Sequence, residues 1–186
     1  MSDPKPLIAF EHPPCLQEYM ISEKEFFQQN PQYTHLVTGA VVFNSEGNIL
    51  LVQRAADEKA FPNLWEIPGG KVDSTDETIL HAAARELKEE TGLDTSRIVR
   101  KVGEFSWSEV SKKTGFQQHW QKLIFEMEVK DMKIVLDPNE HQEYLFATEE
   151  DVLKGKSADV ALSYITPANK TIKLEAFKFR RQTIQS

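Results

Sequence analysis

The chain has 186 residues, 40% apolar and 27% charged, the balance of an ordinary soluble globular protein, which excludes fibrous, collagen-like and fully disordered chains. A chain of this length buries enough surface to fold as one domain with extensions, without disulfides or a structural metal. The formal charge of -7 excludes a surface built mainly to coat nucleic acid. From Thr166 onward, however, Lys170, Lys173, Lys178, Arg180 and Arg181 stand against Glu175 alone, so the tail carries +4 and the remainder -11. Such a tail is either a solvated basic helix face or a phosphate- or RNA-contacting patch.

Cys15 is the single cysteine, so no intrachain disulfide forms, and a reducing compartment fits best. It lies among prolines with no base beside it, which argues against a nucleophile. No run approaches the ~18 apolar residues a membrane span requires, and the N-terminus lacks a signal-peptide core. A cytoplasmic protein without membrane partners is the expectation.

Residues 1–33 read as an extension: a leader carrying Pro4, Pro6, Pro13 and Pro14, then a short helix opened by the capping box Ser22–Glu25 and stopped at Asn30-Pro31. The β-branched run from Thr34 to Phe43 predicts a strand, Asn44 to Asn48 its turn, and Ile49 to Gln53 its hairpin partner. Short apolar Leu64 to Ile67 leads into Pro68-Gly69-Gly70. The strongest helix spans about residues 75 to 91, with Ser74 and Glu77 as a capping box, Ile79, Ala83 and Leu87 on one face, and Gly92 at its end. Val99 to Trp107 and Leu123 to Val129 predict further strands, and Thr148 to Asp151 caps another helix. A last helix starts at Thr166-Pro167, so residues 34–165 form the main domain and 166–186 a basic C-terminal helix packed on it. A hairpin combined with helical crossovers predicts an α/β sandwich with a mixed sheet.

Glu86, Glu89 and Glu90 stand at i, i+3 and i+4, which puts three carboxylates on one helix face about 5 to 6 Å apart at Cβ. A solvated face is the plain reading of the triplet alone. Its context says more: Pro68-Gly69-Gly70-Lys71 allows close backbone approach to a ligand, and Arg85 can pair with Glu89 or Glu77 on the same side. Together these residues suit hard divalent cations and a polyphosphate.

The segment from Gly70 through Glu77 to Arg85-Glu86-Leu87-Lys88-Glu89-Glu90-Thr91-Gly92-Leu93 resembles the Nudix box, with six residues rather than five between Gly70 and Glu77. The resemblance implies a Nudix-type α/β/α sandwich and a pyrophosphohydrolase dependent on Mg²⁺ or Mn²⁺. It also implies that Gly70, Glu86, Glu89 and Glu90 hold metal while Arg85 and Glu77 orient them. A further acidic ligand or base from a later loop would be Glu140 or Glu143. The substrate implied is a nucleoside diphosphate linked to another group; the segment before the box looks MutT-like, which favours a nucleoside triphosphate. Phe61, Trp65 or Trp120 would stack a base and Lys71 would meet phosphate. Lys112-Lys113 and His119 to Lys122 are either a solvated loop or a further clamp. An mRNA cap or a diphosphoinositol phosphate is the alternative substrate, and a catalytically silent binding module of the same fold the alternative class. The sequence leaves the oligomeric state open.

Overall fold

A computed structural model describes residues 9–184; Pro4 and Pro6 of the leader lie outside them. A 3₁₀ turn (Pro14–Tyr19) and α1 (Glu23–Gln29) come first, followed by β1 (His35–Val41), β2 (Ile49–Arg54), β3 (Trp65–Glu66) and α2 (Ile79–Thr91). The long strands β4 (Thr95–Val110) and β5 (Gln117–Val129) come next, then β6 (His141–Ala147), α3 (Glu149–Lys154), the two-residue strands β7 (Lys156–Ser157) and β8 (Val160–Ala161), and α4 (Pro167–Ile184). One sheet has the order β1-β5-β4, with β5 parallel to β1 and antiparallel to β4; the other is antiparallel, β3-β2-β6. The fold is therefore α/β with a mixed sheet.

Period-two alternation along the strands divides the interior in two. Leu36, Ala40, Leu123, Phe125 and Met127 face α2 and pack with Ile79, Ala83 and Leu87. Their neighbours Val41 and Ile124 face the other way, toward Trp65 and Ile67 before the glycine loop and toward Ile172, Ala176 and Phe177 of α4. The N-terminal extension closes the first core with Leu16 and Phe26, and α1 carries the capping box expected at Ser22 and Glu25.

Two expectations are corrected. Strand β2 keeps the hairpin only at its turn, through the Phe43–Ile49 bridge and the bond from Leu50 N to Val42 O, because among the described residues one edge of β1 is held by β5 and the other by the glycine-loop segment Pro68 to Val72. Helix α2 begins at Ile79 rather than near residue 75: Thr78 caps it by accepting from His81 N, and Asp76 is taken up by a turn with Asp73.

The basic tail is solvated at Lys178 and Arg181 but not along its whole length. Lys170 donates to the Leu153 carbonyl at 2.7 Å, Lys178 pairs with Glu175 at 3.3 Å, Arg181 pairs with Glu149, and Arg180 lies over the Phe43 ring. Lys173 is fully buried: Nζ donates to the Asn169 carbonyl at 3.0 Å and sits 4.3 Å from the Tyr164 ring centroid. Burial, reinforced by Lys122 and opposed by Glu66, pushes this ammonium down to about 7. Between that value and the ordinary lysine range the unfolded chain keeps a proton that the folded chain has released, so stability rises with pH across that window. Denaturant titrations between about pH 7 and 9.5 should show this rise, and Lys173→Met should flatten it while stabilising the protein most at its acidic end.

Candidate metal and pyrophosphate site

The site is built where α2, the glycine loop and the start of β6 meet. Arg85 is its hub, and all five N–H donors of its guanidinium are used. Nε reaches Asp76 Oδ1 at 2.7 Å and Nη2 reaches Asp76 Oδ2 at 2.8 Å and the Lys71 carbonyl at 3.0 Å. Nη1 holds Glu86 Oε1 at 2.7 Å and Glu89 Oε2 at 2.8 Å. Hydrogen bonding to Asp76 is the main reason the guanidinium is held above its usual value. Asp76, not Glu77, is thus the acidic partner of Arg85; Glu77 is exposed and stands 3.9 Å from His81 Nε2.

Backbone bonds from Thr38 N to the Gly70 carbonyl and from Ala40 N to the Pro68 carbonyl, both 2.8 Å, lash the glycine loop to β1. Gly69 has φ +145°, which side chains of L-residues rarely adopt, and a Cβ there would strike the Thr38 carbonyl. A Cβ on Gly70 would fall on the Glu86 carboxylate. Both glycines therefore make room, one for β1 and the other for the carboxylate.

Beneath the loop lies a crowd of charge. Glu90 is 4% exposed and accepts from Gly69 N at 2.7 Å; burial first, then Glu66, pushes it well above the usual carboxylate range. Burial also raises Glu86, against the pull of Arg85. Glu66 goes the other way. Burial would raise it, but His141, Lys122 and Arg54 outweigh that and hold it at about 2. Arg54 reaches it at 2.7 Å, while His141 Nε2 stands 3.5 Å away and both buried ring nitrogens of His141 make no hydrogen bond. One ligand atom each from Glu90, Glu140 and His141 lies within 4.8 Å of the others. Buried carboxylates raised by desolvation and like charge, beside an unbonded imidazole, fit a divalent cation that accepts mainly oxygen.

A model of the NUDIX domain matches residues 33–166. The chain belongs to the Nudix hydrolase family. It is accordingly a hydrolase acting on pyrophosphate bonds. The uncharacterised Nudix hydrolase lin0387 of Listeria innocua is 28% identical over 134 residues, 72% of this chain and 75% of the relative. A shorter match is to the m7GpppN-mRNA hydrolase NUDT17 of Danio rerio, 52% identical over 48 residues, 26% of this chain and 16% of that protein. In fold, the chain is similar to the crystal structure of a MutT protein from Methanosarcina mazei Go1, with a TM-score of 0.61 and 24% identity over 79% of this chain and 94% of the other.

In this Nudix hydrolase Glu86, Glu89, Glu90 and Arg85 converge, and Glu140 joins Glu90 from the turn before β6. Glu143 lies beyond, exposed on β6 opposite Gln53 and outside that group. Trp65 is 1% exposed within the second core, which leaves no ring face for a base and removes it as a stacking residue. Phe61 is exposed on the loop before β3, whose Ala60 carbonyl is tied to Arg54. Lys71 is exposed next to the glycines, across the bridge from Val37. Trp120 is partly buried on β5, between His35 and Trp107.

Sequence reading missed Asp76, Glu66 and His141. Asp76 carried a signal, since five residues separate it from Gly70, the spacing of the family's box; Glu66 and His141 gave none, because only folding places them beside Glu90.

Asp76→Asn should lower thermal stability and pyrophosphatase rate together, by about 3 kcal/mol in stability, the cost of breaking a largely buried ion pair. Glu77→Gln should change stability by no more than about 0.5 kcal/mol. Without added cation, Glu90→Gln should raise the thermal midpoint by a few degrees, at about 2 to 4 °C per kcal/mol for this chain length, by relieving a buried like-charge contact. The same variant should lose most of the midpoint rise that Mg²⁺ gives the wild-type protein.

Proposed function

We propose that this Nudix hydrolase is a Mg²⁺- or Mn²⁺-dependent pyrophosphohydrolase that converts a nucleoside triphosphate to its monophosphate. The convergence of Glu86, Glu89, Glu90 and Glu140 on the glycine loop carries this reading. Glu86, Glu90 and Glu140 would hold the cations, with Glu89 at the exposed margin and the second lone pair of the Gly70 carbonyl as a further ligand. Bound there, the metal supplies neutralisation of phosphate charge and a lowered pKa for attacking water.

Lys71, exposed beside the loop, meets the phosphates. Arg85 does not bind substrate, because its donors are spent on Asp76, Glu86, Glu89 and the Lys71 carbonyl; it fixes the carboxylate rotamers. Water adds to one phosphorus as the bridging P–O bond on its far side breaks. Its proton passes to Glu89 or Glu140, the two exposed carboxylates of the group.

A capped RNA is a second reading, supported by the local likeness to the m7GpppN-mRNA hydrolase. Against it, Lys173 is buried, Lys170 is bonded to the Leu153 carbonyl and Arg180 lies over Phe43, which leaves Lys178 and Arg181 as the exposed tail cations. A silent binding module is disfavoured by the complete carboxylate set.

The test is product release from 8-oxo-dGTP, dGTP, ADP-ribose, diadenosine polyphosphates, capped RNA and a diphosphoinositol phosphate, with Mg²⁺ or Mn²⁺. Turnover of the triphosphates is expected, falling by about 10² or more in Glu89→Gln or Glu140→Gln, whichever carries the base, the scale of losing one preorganised group. Full activity in both variants, or no turnover of any compound, would overturn the reading.

A further inference from the structure

On the sheet face opposite α2, three rings from three neighbouring strands form one stacked row. His35 of β1 lies 4.1 Å from Trp120 of β5 at an interplanar angle of 21°, and Trp120 lies 5.5 Å from Trp107 of β4 at 6°. The register makes the row continuous, since His35 pairs with Trp120 and Trp120 with Trp107. A row of this kind inside a core would be ordinary packing. This one runs outward, however: β4 is the edge strand, and Trp107 at its end is 37% exposed.

The row also starts beside the pyrophosphate site. His35 is two residues from Val37, which bridges to Lys71, and the charge of Lys71 is felt at His35. From the carboxylates outward the order is therefore Glu86 and Glu90, the glycine loop, Lys71, His35, Trp120 and Trp107. The strand spacing separates β1 from β4 by about 10 Å, a distance that a ribose and its phosphates bridge.

Polar groups flank the rings. Gln118 lies 3.3 Å from His35 Nε2 and pairs in register with exposed Glu109, while Lys122 pairs with Phe105 on the other side of the row. The Trp120 indole N–H is buried without a hydrogen-bond partner. Flat π faces, a cation toward the phosphates and amide and carboxylate groups at the edge are what a nucleobase requires.

We infer that the open face of Trp107, backed by Trp120 and His35, seats the base of the substrate. This inference rests on the pyrophosphohydrolase reading for its orientation and makes the substrate a nucleotide rather than a base-free pyrophosphate such as a diphosphoinositol phosphate. Trp107 and His35 become specificity-determining residues, and the β4–β5 arm becomes the wall that carries them.

Calorimetric titration of the metal-free protein with GMP, AMP and ribose 5-phosphate tests the inference without turnover. Both nucleoside monophosphates should bind more tightly than ribose 5-phosphate. Trp107→Leu should weaken the nucleotides by about ten-fold or more, within the range of one lost base–aromatic stack, and leave ribose 5-phosphate unchanged. Trp107→Phe should restore most of the difference, and Phe116→Ala at the arm's exposed tip should have no effect. In turnover, Trp107→Leu should raise KM for a triphosphate and leave kcat unaltered.

Equal binding of ribose 5-phosphate and the nucleotides, or wild-type affinity in Trp107→Leu, would overturn the base seat even if the enzyme turns over triphosphates. Tight, Trp107-dependent GMP binding with no hydrolysis of any panel compound would instead overturn the hydrolase reading and leave the seat in place.

Discussion

The structure depends on keeping acidic groups close together where water would ordinarily separate them. Glu90 is buried against the glycine loop, Glu66 lies behind it, Glu86 is partly covered, and Glu140 approaches from the turn before β6. Such crowding opposes folding, and the surrounding architecture reads as compensation for it. Arg85 binds two of the α2 carboxylates and Asp76, Arg54 pairs with Glu66, and the Gly69 N–H caps Glu90. Among the described residues the Glu90 carboxylate is hydrogen-bonded only by that neutral donor, and it is the group a divalent cation would serve.

This compensation requires long-range placement. Helix α2 supplies the carboxylates, but their spacing from the loop is set by backbone bonds between the loop and β1. Strand β1 is in turn fixed by its parallel pairing with β5, the strand that carries Trp120 and Lys122. The same pairing therefore locates the phosphate end and the aromatic row, and chemistry and recognition share one frame.

Local signals in the sequence were strong where a side chain speaks to its near neighbours. The capping boxes at Ser22 and Thr148, the turn at Asn44, the αL glycine ending α2 and the Glu86-Glu89-Glu90 face all have short-range causes. The boundaries failed where tertiary demand outbid propensity. Ser74 and Glu77 resemble a helix start, yet Arg85 draws Asp76 into a turn and Thr78 becomes the cap. The hairpin expected at β2 survives only at its turn, where Phe43 bridges Ile49, because the longer pairing partner of β2 lies far along the chain. Trp65 looked like a ligand contact for the same reason: nothing in the sequence distinguishes an aromatic ring facing a groove from one facing Ile67 and Val41. The tail showed its charge but not its burial, and Lys173 is the residue that most separates the two.

The place of α4 has a broader consequence. The recognisable domain ends at residue 166, before this helix begins, yet Ile172, Ala176 and Phe177 complete the second core. The cooperative unit that melts is therefore longer than the segment by which the chain is related to others. Sequence kinship marks the frame that organises the carboxylates, and thermodynamics adds a C-terminal helix to it. Exchanging catalytic frames between relatives would mean carrying this helix along, with Lys173 on its inner surface against Tyr164.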